Sequence, residues 1–376
     1  MSKRLLVLSV HIGAGHFKAG EALCKAYTKE FGGEAYHMDF LRYSSPTLGR
    51  WVEEAYYLIT KHTPSVYKFI YNMAERPNTP LIKTEVYLWP KKYRRLVEEY
   101  QPDAVICTHF LPAAVASHMY SELPIPNGVV LTDFTSHPMW VNQNNGLFFV
   151  AHDGMRNELR QLGVEDSRIC VSGIPISPYF LDRYDSRLLR EKLQLSQDLP
   201  VILAMSGGNA IGPLVEVLEE LSPLKEKVQV VAIAGRNRQS FRELRLTMKL
   251  LGLQGRVMGF VDNIHEWMAA SDLLISKAGG LTVAEALASG LPMLVIRPTP
   301  GQEDGNTEFL TGAGAAIHLK HVSELKGTVT DLLQNPLKLE AMRSRAKSLG
   351  RPEATVIILT EMIKMIEARE TIAVKG

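Results

Sequence analysis

The sequence predicts an α/β fold with two parallel sheets, and three observations lead to this prediction. The chain has 376 residues, about the right length for two domains of roughly 150 to 190 residues each. Short apolar segments bounded by glycine or proline alternate with longer amphipathic segments. This alternation starts again at residue 201, after a proline-containing segment at 173–180. Alternating strands and helices build parallel sheets that helices cover on both faces.

Short apolar segments predict the strands, and amphipathic spacing predicts the helices. Strands are expected at 4–9, 104–108, 128–132, 147–150 and 169–172, and then at 201–205, 228–234, 257–258, 273–276, 293–296 and 316–319. Helices are expected, among others, at 19–31, 87–100, 186–195 and 353–370. We therefore expect one domain at 1–172 and a second at 173–352. The helical segment 353–376, which no strand follows, is expected to pack back on the first domain.

Composition and charge are those of an ordinary globular protein. Hydrophobic residues make up 46% of the chain and charged residues 22%. The 42 Lys and Arg against 40 Asp and Glu leave a net charge of +2, which does not favour nucleic acid. Cys24, Cys107 and Cys170 lie among apolar neighbours without metal-ligand spacing, which predicts buried thiols in a reducing compartment. No segment is long enough for a signal peptide or a membrane span, so we expect a cytoplasmic protein.

A glycine turn follows the first predicted strand, in the stretch HIGAGH. Gly13 and Gly15 permit a positive φ or the close approach of another group, and the following helix N-terminus suits an anion such as phosphate. The dinucleotide fingerprint GxGxxG is incomplete, because Lys18 stands where the third glycine belongs, and a nicotinamide site is not favoured. His16 either meets a bound ligand with a group that titrates near neutral pH, or caps the helix or satisfies a backbone carbonyl.

Two further glycine turns follow predicted strands in the second half. SGGNAIG at 206–212 repeats the strand, turn and helix arrangement, and KAGG places Gly279 and Gly280 before another helix. In an open parallel sheet both turns lie at the carboxyl ends of the strands, where ligands bind. Two helix N-termini in one place suit a diphosphate.

Carboxylates accompany these turns. Glu285 lies on the helix after Gly280, and PTPGQEDGN at 298–306 contains Gln302 and Glu303. A carboxylate suits a diol because each oxygen accepts a hydrogen bond from one hydroxyl, so Glu285 suits a ribose and the second segment suits a hexose. The residues therefore predict a nucleotide-sugar site.

Together these motifs resemble those of the GT-B glycosyltransferases of family 28. HIGAGH, KAGGLTVAEA at 277–286 and PTPGQEDGN are similar to the family's signatures. TDFTSHPMW at 132–140 and GIPI at 173–176 resemble the branch that makes monogalactosyl- and glucosyl-diacylglycerols. The resemblance extends over nearly the whole chain and implies two Rossmann-like domains that face a deep cleft. It also implies an inverting, metal-independent transfer of a hexose from a UDP-sugar to the hydroxyl of diacylglycerol. Glucose is the first choice for this hexose, and galactose is the second.

The resemblance implies that the C-terminal domain binds the donor. The residues that would border the donor are Gly15, Ser206, Gly207, Gly208, Phe260, Val261, Lys277, Gly279, Gly280, Thr282, Glu285, Gln302, Glu303 and Asn306. Glu285 would bind the ribose, and Phe260 and Val261 would lie near the uracil. The diphosphate would meet Gly279, Gly280 and Thr282. The sugar would meet Gln302, Glu303 and Asn306.

An inverting transfer needs a base for the acceptor proton and a positive environment for the leaving UDP. Asp133, just past a predicted strand in LTDF, is the first choice for the base, and His16, over the diphosphate and sugar from the facing domain, is the second. The alternative for Asp133 is a helix or turn cap. The sequence contains no DxD motif, so helix N-termini and Lys277 would act where a metal acts elsewhere. We therefore expect no metal and no other cofactor.

Aromatic and basic residues are interleaved between residues 40 and 95. The candidates for acceptor or membrane contact are Trp51, Tyr57, Trp89, Lys91, Lys92, Arg94, Arg95, His137 and Trp140. Such side chains suit the headgroups of an anionic bilayer, although an ordinary core with a solvated face has the same composition. The near-neutral total charge makes single-stranded nucleic acid the poorer interpretation. We expect a peripheral protein on the inner face of the cell membrane, with a UDP-sugar, diacylglycerol and the anionic surface as partners and no nucleic acid.

Two kinds of alternative remain. One is another enzyme on the same fold, either a lipid II type N-acetylglucosaminyltransferase or a sugar-nucleotide epimerase. The other is a sensor that binds a UDP-sugar without lasting chemistry. TDFTSHPMW favours the diacylglycerol branch over both.

Overall fold

Two parallel sheets of six strands organise the computed structural model, one in each of two units. The structure describes residues 3–63, 65–66, 68, 89–206 and 212–375. The first unit contains Met1–Pro178 and Arg351–Gly376, and the second contains Tyr179–Gly350. The boundary between the two units thus falls inside the segment 173–180.

The first unit contains a sheet with one reversal of strand order. Its strands are β1 Arg4–Ser9, β2 Glu34–Asp39, β3 Ala104–Cys107, β4 Asn127–Val130, β5 Leu147–Val150 and β6 Ile169–Val171. Their order in the sheet is β2-β1-β3-β4-β5-β6. The chain adds β2 on one side of β1 and then continues with β3 on the other. The strand order therefore reverses between β1 and β3.

Strand β2 is the strand that the sequence did not predict. Its residues EAYHMD are exposed or half-buried along the whole strand, because β2 lies at the edge of the sheet beside β1. Strands β1, β3, β4 and β5 are mostly apolar and buried along nearly their whole length, which is the pattern that parallel sheets produce. Strand β6, at the opposite edge, is half-buried but still apolar, whereas β2 has neither feature.

The second unit repeats this organisation with a different strand order. Its strands are β7 Val201–Met205, β8 Gln229–Ile233, β9 Gly255–Met258, β10 Leu273–Ser276, β11 Met293–Ile296 and β12 Ala316–Leu319. They are arranged β12-β11-β10-β7-β8-β9, so the order reverses between β7 and β10. This is the order of the doubly wound dinucleotide-binding fold. All six strands coincide with predicted ones, to within two residues at each end.

Helices connect the strands. In the first unit they are α1 Gly15–Glu30, α2 Phe40–Ser44, α3 Pro46–His62, α4 Pro90–Tyr100, α5 Phe110–Met119 and α6 Asp153–Gln161. In the second unit they are α7 Ser186–Lys192, α8 Leu214–Leu221, α9 Arg238–Leu251, α10 Ile264–Ala269, α11 Gly280–Ala288, α12 Gln302–Gly312, α13 Leu325–Gln334 and α14 Pro336–Leu349. The last helix, α15 Ala354–Lys375, belongs again to the first unit. Helix α1 begins four residues earlier than predicted, so that His16 lies in its first turn.

Helix α15 is part of the core of the first unit. Its side chains Ile358 and Met362 are buried in one cluster with Leu5 of β1. A Cβ on Gly128 of β4 would lie 2.7 Å from the Met362 Sδ, which explains the glycine at this position of the sheet. The hydroxyl of Thr355 donates to the Ile176 carbonyl at 2.6 Å, which ties the start of α15 to the segment after β6.

The burial of α15 predicts a large effect of truncating one of its core side chains. Ile358→Ala should lower the free energy of unfolding of the first unit by about 2 to 5 kcal/mol, since it removes a fully buried side chain from a packed cluster. Lys364→Ala on the same helix is the matched control, because this side chain is 63% exposed. Urea unfolding measures both effects. If the two variants unfolded at the same urea concentration, α15 would not contribute to this core.

Candidate functional site

The sequence-predicted site residues collect at two places, each at the carboxyl edge of one sheet where the strand order reverses. In the first unit they follow β1 and β4, apart from the aromatic and basic candidates on α3 and α4. In the second unit they follow β7, β10 and β11, with a further pair after β9. Neighbouring connections diverge to opposite faces at a reversal and leave an open crevice above the strand ends.

The HIGAGH turn joins β1 to α1 with a positive φ. Gly13 has φ 74°, a conformation that an L side chain rarely adopts, and this lets the chain reverse into the helix within a few residues. Ala14 is the N-cap and supplies no side-chain hydrogen bond to the first turn. The backbone N–H groups of this turn therefore retain the geometry that suits an anion.

His16 is buried in the first turn of α1, and its ring is held by two neighbours. The ring Nδ1 lies 2.8 Å from the Thr108 carbonyl oxygen and 2.7 Å from the Thr132 hydroxyl. A carbonyl oxygen only accepts, so Nδ1 carries the hydrogen and donates it to Thr108. In the neutral ring Nε2 then holds the lone pair. The ring thus satisfies a backbone carbonyl, and the same bond leaves Nε2 in the form that a base needs.

A chain of hydroxyl groups extends the contact between His16 and Thr108. The Thr108 hydroxyl donates to the His16 carbonyl at 2.9 Å, and its oxygen lies 2.8 Å from the Ser9 Oγ. The Ser9 Oγ is in turn 2.7 Å from the Nε2 of His37 on β2. A Cβ on Gly20 would clash with His37 and Ser9, which explains the glycine inside α1. These bonds join β1, β2, β3 and α1 at one corner of the sheet.

The electrostatics keep both central histidines neutral. Burial lowers the pKa of His16 below its usual value, and the nearby Asp133 carboxylate opposes this shift by stabilising the charged ring. His109 packs edge-on against His16 with the ring centroids 4.9 Å apart. Burial and the neighbouring His16 ring hold the pKa of His109 well below its usual value. At neutral pH the site therefore contains two uncharged imidazoles beside one carboxylate.

His137 and Trp140 lie inside the first unit and not on its surface. The Trp140 ring is 6.2 Å from the ring of His16 and 6.2 Å from the ring of Phe110. His137 accepts a hydrogen bond from the Met139 N–H at 3.2 Å, which caps the short turn at Pro138–Trp140. Burial lowers the pKa of His137 to about 4. The two residues can line an acceptor site next to His16, whereas their burial excludes contact with a membrane.

The aromatic and basic candidates before residue 95 divide into a buried and an exposed group. Trp89 is only 7% exposed and meets Phe40 edge-on, so the structure places it in the core, and its expected acceptor or membrane contact stays a prediction. Trp51 on α3 is 70% exposed. Tyr57 is half-buried on the same helix, and Arg94 forms an ion pair with Glu122. The other exposed candidates are Lys91, Lys92 and Arg95. Residues 64, 67 and 69–88 lie outside the described part of the chain.

In the second unit, the turn between β10 and α11 meets the start of α12. Gly279 is the N-cap of α11, and a Cβ at this position would lie 3.7 Å from the Glu303 Oε1. Asn306 is fully buried and donates from Nδ2 to the Ala278 carbonyl at 2.9 Å. The expected contact of Asn306 with a sugar stays a prediction. Its amide holds the glycine turn in place.

Lys277 and Glu303 form a partly buried ion pair beside this turn. The Lys277 Nζ donates to the Thr299 hydroxyl at 3.0 Å and lies 3.7 Å from the Glu303 Oε1. The other carboxylate oxygen of Glu303 accepts from the Thr299 N–H. A cation and a helix N-terminus, which suit an anion, thus lie next to a carboxylate, which can accept hydrogen bonds.

Phe260 supplies a flat aromatic surface after β9. Its ring is 40% exposed, and the Arg236 guanidinium after β8 lies 4.4 Å from the ring centroid. This cation–π contact orients a ring on which a base can stack. Val261 beside it is half-buried.

The remaining donor candidates are placed as follows. Gly15 and Gly280 are the first residues of α1 and α11, Thr282 and Glu285 are half-buried on the first two turns of α11, and Ser206 is buried directly after β7. Gly207, Gly208 and the side chain of Gln302 lie outside the described part of the chain.

Several polar residues of these two places were missed by the sequence reasoning. They are Thr108, His109, Thr132, Arg236 and Thr299. Each follows a buried strand within three residues. Polar residues at the last position of each predicted strand or in the three positions after it include all five, and such positions line the carboxyl edge of a parallel sheet.

The described residues contain neither a membrane span nor a metal-binding cluster. No described helix is both long and apolar enough to cross a bilayer. Among the same residues no three His, Cys, Asp or Glu side chains are grouped in a way that could hold a metal ion. Cys24, Cys107 and Cys170 are free thiols, and only Cys107 is fully buried.

Known proteins resemble the chain in sequence and in structure. A family model described as monogalactosyldiacylglycerol (MGDG) synthase matches residues 16–176, and one described as glycosyltransferase family 28 C-terminal domain matches residues 201–356. A processive diacylglycerol beta-glucosyltransferase of Bacillus licheniformis is 29% identical over 367 residues, which are 97% of this chain and 96% of that protein.

Solved structures show the same fold at low sequence identity. MurG of Acinetobacter baumannii has a TM-score of 0.61 at 15% identity and covers 96% of this chain and 99% of its own. Anabaena HepE in complex with UDP-glucose has a TM-score of 0.56 at 15% identity and covers 97% of this chain and 99% of its own. The two-domain α/β fold is therefore of the GT-B type, as predicted. The two family models follow each other along the chain, which therefore combines an N-terminal domain of the monogalactosyldiacylglycerol synthase type with a glycosyltransferase family 28 C-terminal domain.

Proposed function

We propose that this glycosyltransferase moves glucose from UDP-glucose to the hydroxyl of diacylglycerol, with inversion at the anomeric carbon and without a metal. The observation that carries the choice of substrates is the likeness, over 97% of the chain, to a processive diacylglycerol beta-glucosyltransferase. A beta-linked product requires inversion when the donor is alpha-linked, as UDP-glucose is. HepE, of the same fold, was solved with UDP-glucose, which supports this class of donor.

The second unit is proposed to bind the donor. The N-terminus of α11 at Gly279 and the Lys277 ammonium supply positive charge for the diphosphate. The Glu303 carboxylate next to Gly279 accepts hydrogen bonds from the sugar, and Glu285 accepts them from the ribose. The exposed Phe260 ring stacks on the uracil.

In the first unit, His16 is proposed as the base. Its Nε2 takes the proton of the diacylglycerol hydroxyl while the hydroxyl oxygen attacks the anomeric carbon. The bond from that carbon to UDP breaks, and its electron pair stays on the phosphate oxygen. Since Nδ1 donates to Thr108, Nε2 is the nitrogen that can accept. Asp133 stabilises the imidazolium that forms, because its carboxylate favours the charged form of His16.

A membrane surface on α3 and α4 is proposed to deliver the acceptor. Leu48, Trp51 and Leu58 are exposed on α3 at spacings of three and seven residues, which place them on one side of the helix. An exposed apolar stripe of this kind has no packing role in a water-soluble surface. Exposed lysine and arginine side chains on α4 supply the charge that anionic headgroups attract.

The turnover assay tests this proposal against its alternatives. We expect glucosyldiacylglycerol when the protein is incubated with dioleoylglycerol liposomes and UDP-glucose, and little product with UDP-galactose or UDP-N-acetylglucosamine. The yield should be unchanged by EDTA, because helix N-termini and Lys277, and not a metal ion, are proposed to stabilise the negative charge of the leaving UDP.

Other outcomes contradict particular parts of the proposal. Transfer of N-acetylglucosamine, or interconversion of the free UDP-sugar, would favour the other enzymes of this fold. Binding of UDP-sugar without any product would favour a sensor. Loss of activity in EDTA with recovery in magnesium or manganese would contradict the metal-independent mechanism.

The donor site predicts a specific effect of Glu285→Ala. The two ribose hydroxyls lose a shared charged acceptor, so the Kd for UDP should rise about 10- to 100-fold while the fold stays intact. Calorimetric titration with UDP measures the effect. Glu308→Ala, an exposed carboxylate on the neighbouring helix α12, is the control and should bind UDP as the unaltered protein does. Equal affinity of both variants would remove Glu285 from the site.

The choice of base predicts a pH dependence. If neutral His16 is the base, kcat/KM falls as the pH drops through its pKa, which burial places below the usual value. Asp133→Asn removes the carboxylate that raises this pKa, so the acidic limb of the profile should move to lower pH while most of the turnover remains. His16→Ala should lower kcat by about 10² to 10⁴.

A histidine outside the site provides the control for this experiment. His118→Ala, exposed at the end of α5, should leave the profile unchanged. If Asp133→Asn instead lost the turnover and His16→Ala affected mainly donor binding, Asp133 would be the base and His16 a donor contact.

A further inference from the structure

Helix α9 of the second unit has an exposed side that its packing does not explain. Its buried side, with Leu244 and Met248, contributes to the core of the unit, and Phe241 packs against the same cluster. The opposite side carries the residues that we call the α9 face. These are Arg238, Arg242, Arg245, Leu246, Lys249 and Leu250, all of them exposed, and one exposed carboxylate, Glu243, lies beside the two leucines.

The basic members of the α9 face form one stripe. Arg238, Arg242, Arg245 and Lys249 follow one another at spacings of four, three and four residues, which places their side chains in a row along the helix. In the described part of the chain, none of the four has an ion pair with a carboxylate. Their charges are therefore available to an external anion.

Two leucines lie directly beside this stripe. Leu246 is 59% exposed and Leu250 is 76% exposed. They are one turn apart on the same helix and extend the stripe as a small apolar surface. A ligand with phosphate groups alone would contact the basic side chains but not the leucines. A lipid surface can contact both, with the basic side chains at its headgroups and the leucines at the boundary of its acyl chains.

The charge of this region differs from that of the rest of the chain. Residues 225–256 contain eight basic and two acidic side chains. The whole chain contains 42 basic and 40 acidic side chains, so the residues outside 225–256 together have a net negative charge. The side chain of Lys225 lies near the end of α9. A Cβ on Gly252, the residue that follows this helix, would be 3.8 Å from the Lys225 Nζ. A positive region on an otherwise negative chain is complementary to an anionic surface.

We propose that the α9 face is a membrane-binding surface of the second unit, which docks on anionic phospholipid independently of the surface on α3 and α4. The occupant is an anionic bilayer, because each basic side chain near such a surface adds to binding and the two leucines insert at its boundary. The inference extends the proposed function, since the donor-binding unit itself would then contact the bilayer.

Binding of the full-length protein to vesicles tests the proposal without any turnover. Vesicles of phosphatidylcholine with or without phosphatidylglycerol, and without diacylglycerol or UDP-sugar, are sedimented with the protein. We expect Arg242→Gln with Arg245→Gln to lower the partition coefficient on the anionic vesicles by about five-fold per charge removed. Leu246→Gln with Leu250→Gln should lower it by a similar factor. Added salt should weaken the binding of the unaltered protein.

Matched variants in the same unit provide the controls. Lys320→Gln with Lys326→Gln removes two exposed charges, and Leu188→Gln with Leu337→Gln removes two exposed leucines, all outside α9. Both controls should bind anionic vesicles as the unaltered protein does. Calorimetry with UDP should show unchanged affinity for all variants, which verifies the fold of the second unit.

A fluorescence measurement reports on insertion directly. Leu250→Trp should show a blue shift on anionic vesicles beyond that of the four native tryptophans, and no such shift on phosphatidylcholine alone. Three results would each overturn the proposal. The two α9 variants could bind anionic vesicles as the unaltered protein does, or the control variants could lose as much binding as the α9 variants. The tryptophan introduced at position 250 could also keep the emission of a solvent-exposed side chain on anionic vesicles. None of these readouts depends on transfer of a sugar, so they separate this inference from the proposed function.

Discussion

The reversal of strand order is the constraint on which both groups of site residues depend. In the first sheet it occurs between β1 and β3, and in the second between β7 and β10. At each reversal the connections leave towards opposite faces of the sheet, so the carboxyl ends of two adjacent strands are not covered. Polar residues that follow these strands are thereby brought together although they are far apart in the chain. His16 and Thr108, for example, are separated by 92 positions and joined by a 2.8 Å hydrogen bond.

Buried polar groups at these corners are satisfied by one another, which makes the corners rigid. The Ser9 and Thr108 hydroxyls bond to each other and to His37 and His16, so that the uncovered strand ends of the first unit hold a connected network. In the second unit the Thr299 hydroxyl accepts from Lys277 and the Thr299 N–H donates to Glu303, which connects the ends of β10 and β11 with the start of α12. A partly satisfied network would leave buried groups without partners, at a cost of about 1 to 3 kcal/mol each.

The two corners have different electrostatics, and the difference fits the roles that we propose for them. In the first unit burial keeps His16 and His109 neutral, while one carboxylate, Asp133, favours the charge that His16 acquires when it takes a proton. In the second unit a permanent cation, Lys277, and the N-terminus of α11 provide positive charge without any change of protonation. A base must change its charge during the reaction, whereas a binding site for a leaving diphosphate must not.

The sequence alone determined the two sheets, eleven of the twelve strands and the glycine turns, because apolar periodicity and positive φ are local properties. It also indicated the family, since the motifs lie in order along the chain. Only the tertiary structure decided which residues share a corner. It added the edge strand β2, which has no continuous apolar pattern, and it moved Trp89 and Asn306 into the interior. Whether a single aromatic or amide side chain is buried depends on residues that are far away in the chain. The local sequence does not indicate which residues these are.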